Sequence, residues 1–457
     1  MPKIGLEIHG YIESKEKLFC KCKSIHGAKL AKPNTYICPV CTGQPGAKPM
    51  LPNKEAIDKT IQTGLILGCK INKELIWQRK HYDWPDLPKG YQNTISGAHA
   101  SPVGINGKFL GIRIREIHLE EDPAAWNPQT GEIDYNKSGS PLMEIVTEPD
   151  FTSSQQVYDW LKQLIITLGY IKSVDSALGL KADVNVSLPE LNGERIEIKN
   201  VNSLSNIKAA IEYEASRQKN EIPHAKETRM FDEAKGITKK MREKEAEQDY
   251  RIISDPDLPA IEIENSRVEK IKKALPETPQ EKLEKLVKKY SIEKRYAEIL
   301  SKKLEIAEFF EEVIKDNSGL IDLAVPWVTV ELLRVLNYNK TSLESPDIEI
   351  QPKHFVSLLR LLKEGKITEE QAKKTLNKFV PKSFNPESEF KGKEKISDTK
   401  EIEKIAEKVI KENKKAVEDF KKGESSALNF LIGQVMKESH GRADNKVVKM
   451  ILEKKLK

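Results

Sequence analysis

The sequence predicts an α+β protein in three parts: an antiparallel-sheet cradle over residues 1–265, an all-α linker domain over 266–390 and a small all-α tail over 391–457. Three observations carry this. In the first part, short runs alternating with period two are interleaved with a few helical stretches. From about residue 266 the apolar spacing changes to that of helices. Pro381–Asp398 is rich in Pro, Ser and Lys and reads as a linker before the last helices.

Taken in order, Ile4-Gly-Leu-Glu-Ile-His9 places Ile4, Leu6 and Ile8 on one side of a strand and Gly5, Glu7 and His9 on the other. Residues 109–122 read as one further strand ending in acid, and Pro141–Val146, Ala182–Leu188 and Arg195–Lys199 as shorter ones. Residues 153–168 and 204–219 have helical spacing, with Ser154 at the start of the first. Residues 280–316 are helical, with Leu304, Ala307, Phe310 and Ile314 on one stripe. Thr368-Glu-Glu-Gln371 is a capping box, opening a helix after the stop at Gly365. Residues 399–457 form short helices, and there are no internal repeats.

At 457 residues the length allows two to four domains, and the 38% apolar content supports a sizeable core. No run of eighteen apolar residues is present, so no membrane span is expected. The first residues are strand-like and not an apolar leader, which reads as a cytoplasmic protein. The net charge is +6, and residues 391–457 alone hold 18 Lys/Arg against 12 Asp/Glu. The excess therefore lies in the tail, which could touch a phosphate backbone or be a solvated Lys/Glu-rich helical module.

Four of the five cysteines fall within residues 20–41, as Cys20-Lys-Cys22 and Cys38-Pro-Val-Cys41. A reducing compartment argues against disulfides. Two close pairs on two turns give tetrahedral Zn²⁺ its four soft ligands with no open position, so the site is structural. Free core thiols or a redox pair are the alternatives. Cys69 reads as a small buried apolar residue.

Glu7 and His9 share one sheet face, Glu120-Glu121-Asp122 sets three acids in succession, and Glu144 interrupts an apolar strand. A lone carboxylate there is costly unless paired or bound to metal. Carboxylates with one His suit Mg²⁺, which keeps substrate phosphates as its remaining ligands. A solvated or salt-bridged acid is the plain alternative at each position. There is no Walker A loop, Rossmann glycine pattern or Gly-x-Ser-x-Gly elbow.

Together these strings resemble the GatB/GatE family of aspartyl/glutamyl-tRNA amidotransferase subunits over nearly the whole chain. The strings include Ile4–His9, Lys17–Cys22, Cys38–Cys41, Arg79-Lys80, Pro85–Gln92, Ile117–Asp122, Pro141–Val146, Glu197–Ser203, Glu227–Arg229, Asp255–Pro259 and Phe430–Lys437. The resemblance implies a glutamine-synthetase-like cradle that binds Mg²⁺ and ATP through Glu7, His9, Glu120, Glu121 and Glu144. It implies Glu121 with Lys80 at an ammonia entry, so that Glu121, Lys80, Glu7 and Glu120 carry the catalysis. It also implies Asp183, Asn185, Lys199 and Arg229 on the ATP side, and a structural zinc on Cys20, Cys22, Cys38 and Cys41. The tail would meet tRNA, with Lys437, His440, Arg442, Lys446 and Lys449 as contact candidates. A glutaminase A subunit and a small C subunit would complete a heterotrimer acting on mischarged Glu-tRNA(Gln) or Asp-tRNA(Asn). The chain is too short for the inserted domain of the E type, which favours the B type. Lys181 stands where the family has Arg, and Ile252-Ile253-Ser254 where it has Tyr-Phe-Pro. Two rival readings are a non-catalytic zinc-containing tRNA-binding factor and a ligase that uses free ammonia alone.

Overall fold

The computed structural model describes residues 1–25, 31–175, 179–243, 251–390, 399–439 and 441–456. The chain divides into two compact units, Met1–Thr278 and Pro279–Lys457. The helix Asn265–Ala274, assigned from the sequence to the linker domain, lies in the first unit. It packs on the helix Lys54–Ile66, where Arg267 Nε donates to Asp58 at 2.7 Å.

A large sheet dominates the first unit. Its main path runs Ile237–Glu243, Glu227–Asp232, Ile196–Asn202, Lys181–Ser187, Lys3–Tyr11, Pro141–Thr147, Ile112–Glu121, Tyr91–Thr94, Gln78–His81 and Ile253–Ser254. The strand Lys3–Tyr11 is central because Ile4, Leu6 and Ile8, each no more than 1% exposed, tie it to the core. Each such burial stabilises by about 1.5–3 kcal/mol. The helices Ser154–Tyr170 and Leu204–Asn220, capped by Ser153 and Ser203, pack on one another. They supply Leu161, Leu164, Ile207 and Ile211 to the same core. Cys69 joins it as an apolar side chain.

Two expectations change. Residues 109–122 are not one strand: Gly104–Phe109 and Ile112–Glu121 form a hairpin, turning at Leu110 and Gly111, both at positive φ. The sheet is not wholly antiparallel either. Ile196–Asn202 and Glu227–Asp232 pair in parallel, because the helix Leu204–Asn220 carries the chain back across the sheet between them.

The second unit is helical, with one apolar cluster running from Leu286 to Phe390 and another from Ile402 to Leu456. Thr368 and Gln371 form the expected capping box. The first half of the expected linker is folded. Ser383 and Phe390 are buried, and Phe384 meets Phe379 edge-on at 5.5 Å between centroids. Residues 391–398 lie outside the described residues. Among the described residues, no helix is long and apolar enough to cross a membrane.

Candidate metal and nucleotide site

Period-two alternation, kept in register over neighbouring strands, builds one polar sheet face. Glu7 and His9 point away from Ile4, Leu6 and Ile8. Pairing sets Glu144 beside His9, His118 beside Glu144, and Asp183 beside Glu7. Two acid clusters result. His9, Glu120 and Glu144 bring one nitrogen and two carboxylate oxygens within 4.8 Å of one another, and Glu7, Asp183 and Glu197 bring three oxygens within the same span.

Glu144 is the hub of the first cluster. Its Oε2 lies 3.3 Å from His9 Nε2 and 3.2 Å from His118 Nε2. Burial alone would favour neutral imidazoles, but the Glu144 carboxylate outweighs it. His9 is pushed up to about 9, and His118, which also faces Glu116, to about 10. Burial likewise opposes ionisation of Glu144, yet the two imidazoles hold its carboxyl well below the usual range. Burial and then the Glu144 charge raise Glu120, against the pull of His9, His118 and Lys80. Burial and the neighbouring acids also raise Glu7, against Lys199.

Positive charge held as protons on imidazole thus balances acids gathered in a poorly solvated place. Carboxylate oxygens with one imidazole are a donor set for a hard divalent cation, which would supply that positive charge directly. In the second cluster Lys199 Nζ lies 2.5 Å from Asp183 and 2.9 Å from Glu197, while Asn185 Nδ2 donates to Glu7 at 3.2 Å.

Two expected residues stand elsewhere. Lys80 shares the face of Glu120, whereas Glu121, next along the strand, turns to the opposite face. There Glu121 accepts from Lys89 at 2.5 Å and from the Asn93 amide at 2.9 Å, so its ion pair is with Lys89 and not Lys80. Arg229 donates to Glu227 and Thr238 and lies 3.6 Å from Glu214 of the helix Leu204–Asn220, so it does not join Lys199. Sequence reading missed His118, Glu116 and Glu197. The signal for the first two was available, since they precede Glu120 by two and four residues on one strand.

The four thiols of Cys20, Cys22, Cys38 and Cys41 also lie within 4.8 Å of one another. Cys41 is already favoured as a thiolate. The hydrogen bond from Cys20, the Cys38 amide at 3.2 Å and Lys17 Nζ at 3.4 Å bring it down to about 4, against burial. Burial pushes Cys22 up to about 11, and the Cys41 partner together with burial raises Cys20. Four sulfurs gathered within that span, beside the buried Lys17, suit a tetrahedral soft-metal site.

In the tail, Lys437, Lys446 and Lys449 are exposed and Arg442 is half-buried, while His440 lies outside the described residues. Lys437 borders a cavity of about 740 Å³ with Lys374, and Arg442 one of about 710 Å³ with Lys374 and Lys378.

The sequence has counterparts among known proteins. Residues 2–269 match the GatB/GatE catalytic domain and residues 308–456 the GatB domain, so the chain belongs to the GatB/GatE family. More particularly, it is 44% identical to the B subunit of the aspartyl/glutamyl-tRNA(Asn/Gln) amidotransferase of Methanocaldococcus jannaschii, over 99% of this chain and 98% of that one. The corresponding B subunit of Methanococcus maripaludis is also 44% identical, and that of Methanopyrus kandleri 41%, each over 99% of this chain and 98% of the relative. The chain is thereby a component of a ligase-type amidotransferase.

Proposed function

We propose that this chain is the subunit that uses ATP to activate the side-chain carboxylate of Glu or Asp mischarged on tRNA, so that ammonia can convert it to the amide. A carboxylate is a poor acyl donor because its leaving group would be oxide. Attack of its oxygen on the γ-phosphorus of ATP releases ADP and leaves an acyl phosphate. Ammonia then adds at the carbonyl carbon, phosphate departs, and a proton is lost.

The observation that carries this reading is the pair of acid clusters on one sheet face. His9, Glu120 and Glu144 would hold Mg²⁺, and Glu7 with Asp183 and Glu197 would offer a second position. When bound, Mg²⁺ neutralises polyphosphate charge and favours in-line transfer. Lys199 and Asn185 border the second cluster and carry donors suited to phosphate oxygens. Lys80, on the face of Glu120, is suited to the ammonia side, and Glu121 with Lys89 braces the strand from behind. Ammonia is scarce at neutral pH, so a glutaminase A subunit and a small C subunit complete the enzyme in the cytoplasm. Zn²⁺ on the four thiols is structural. Lys437, Arg442, Lys446 and Lys449 are the candidates among the described tail residues for meeting tRNA phosphates.

The test is reconstitution with A and C subunits, ATP and each mischarged tRNA. Glu144→Ala is expected to lower ATP-dependent amide formation at least about 100-fold while tRNA affinity stays unchanged. Full activity in that variant would favour the non-catalytic tRNA-binding reading.

A further inference from the structure

The row of side chains across the polar face runs one residue beyond the proposed ligand set. Register aligns His9, Glu144 and His118 on three neighbouring strands, so Glu144 sits between two imidazoles that meet the same oxygen, Oε2. The two imidazoles are unequal. The His9 side chain is 21% exposed and can be reached by a ligand, whereas that of His118 is 3% exposed and closed in behind Glu144. His118 is itself backed by protein. Its Nδ1 lies 3.0 Å from Glu116 Oε1, close as an ion pair though off the line of a hydrogen bond, and Ser96 Oγ donates to that same oxygen at 2.5 Å.

We propose that His118 is a positioning residue for the metal-holding carboxylate. Its Nε2–H fixes Glu144 Oε2, and the Ser96–Glu116 pair fixes His118, so the carboxylate stands in one orientation toward the cation before the cation arrives. This rests on the metal reading above and adds a support that touches neither metal nor substrate. A ligating carboxylate left to rotate would lose part of its binding energy in being ordered, and supports of this kind change metal affinity by about 10–100-fold.

The experiment is Mn²⁺ titration of the assembled amidotransferase by electron paramagnetic resonance, with thermal unfolding in EDTA as a check of the fold. Gln places its amide nitrogen near the position of Nε2, Asn stops short of it, and Leu has no donor. His118→Gln is expected to bind Mn²⁺ within a few-fold of the wild type, and His118→Asn and His118→Leu about 10–100-fold more weakly. Should His118→Leu fail to fold, the Gln and Asn pair, equal in polarity, decides. Wild-type Mn²⁺ affinity in all folded His118 variants, with Glu144→Ala defective, overturns the proposal and leaves the metal reading intact. Absence of Mn²⁺ uptake by the wild type itself removes the metal reading, and this assignment with it.

Discussion

Replacing Glu120 by Gln should make the metal-free protein more stable while making it bind metal less well. The Glu120 and Glu144 oxygens lie within 4.8 Å. At an effective dielectric constant of about 20 that separation corresponds to a repulsion of about 3.5 kcal/mol. His9, His118 and Lys80 offset part of it, but the Glu120 carboxyl is still raised, so burial and repulsion win. The sign follows. A carboxyl whose folded value exceeds its unfolded one costs nothing below the unfolded value, and stability is lost as pH rises toward the folded value. At neutral pH Glu120 therefore destabilises the fold relative to a neutral side chain of the same shape, by about 1–2 kcal/mol once relaxation is allowed. Gln keeps the shape and removes the charge. Unfolding followed by tryptophan fluorescence reports mainly on residues 1–278, which hold four of the five tryptophans. In EDTA the Glu120→Gln midpoint should rise by roughly 2–5 °C. In saturating Mn²⁺ the order should reverse, because stabilisation by a ligand follows its affinity for the folded state. A Glu120→Gln protein no more stable than wild type in EDTA would refute the reasoning, since the acids would then not be held together against their own repulsion.

Metal analysis of the purified protein should find one equivalent of zinc, and Cys38→Ser should lose it and cost more than about 2 kcal/mol in denaturant unfolding. Zinc-free protein of unchanged stability would remove the structural role. Phe355→Ala, at a fully buried side chain stacked edge-on against Phe309 at 5.3 Å, should cost about 3–5 kcal/mol in the helical unit, read as a shifted urea midpoint. Burial raises Glu331, but Lys373 and Arg334, each 3.0 Å away, overcome this and lower its carboxyl. Its contribution is therefore present above the unfolded value and lost as pH falls through the folded one. Glu331→Gln should cost about 0.5–1 kcal/mol at pH 7, and the gap should close as pH falls below the ordinary carboxylate range.

Single strands and helix ends were legible because they depend on local pattern. The alternation of Ile4–His9 sorted Glu7 and His9 from the core residues, and Thr368-Glu-Glu-Gln371 marked a helix start through its two reciprocal hydrogen bonds. The turn at Leu110-Gly111 was hidden because apolar residues alternate on both sides of it. Pro381–Phe390 looked like a linker because its polar residues outnumber the aromatics, yet Phe384 and Phe390 bury enough surface to hold the segment in the helical core. The parallel pair was hidden for a different reason. Direction in a sheet is set by the path of the connection, and the helix Leu204–Asn220 supplies a crossover that strand composition does not reveal.

The site shows the same boundary between local and non-local information. That Glu7, Glu120 and Glu144 are acids near apolar runs is visible in the chain itself. That Glu120 faces Lys80 while Glu121 faces Lys89 depends on pairing between Gln78–His81, Tyr91–Thr94 and Ile112–Glu121, because a shift of one residue would exchange the two acids. The apolar residues settle the matter. Ile117 and Leu119 are fully buried, and moving them to the polar face would forfeit about 1.5–3 kcal/mol each. The core therefore selects which acid of the Glu120-Glu121 pair joins His9 and Glu144. The same packing brings His118 behind Glu144, and the chemistry of this face is set by hydrophobic residues that take no part in it.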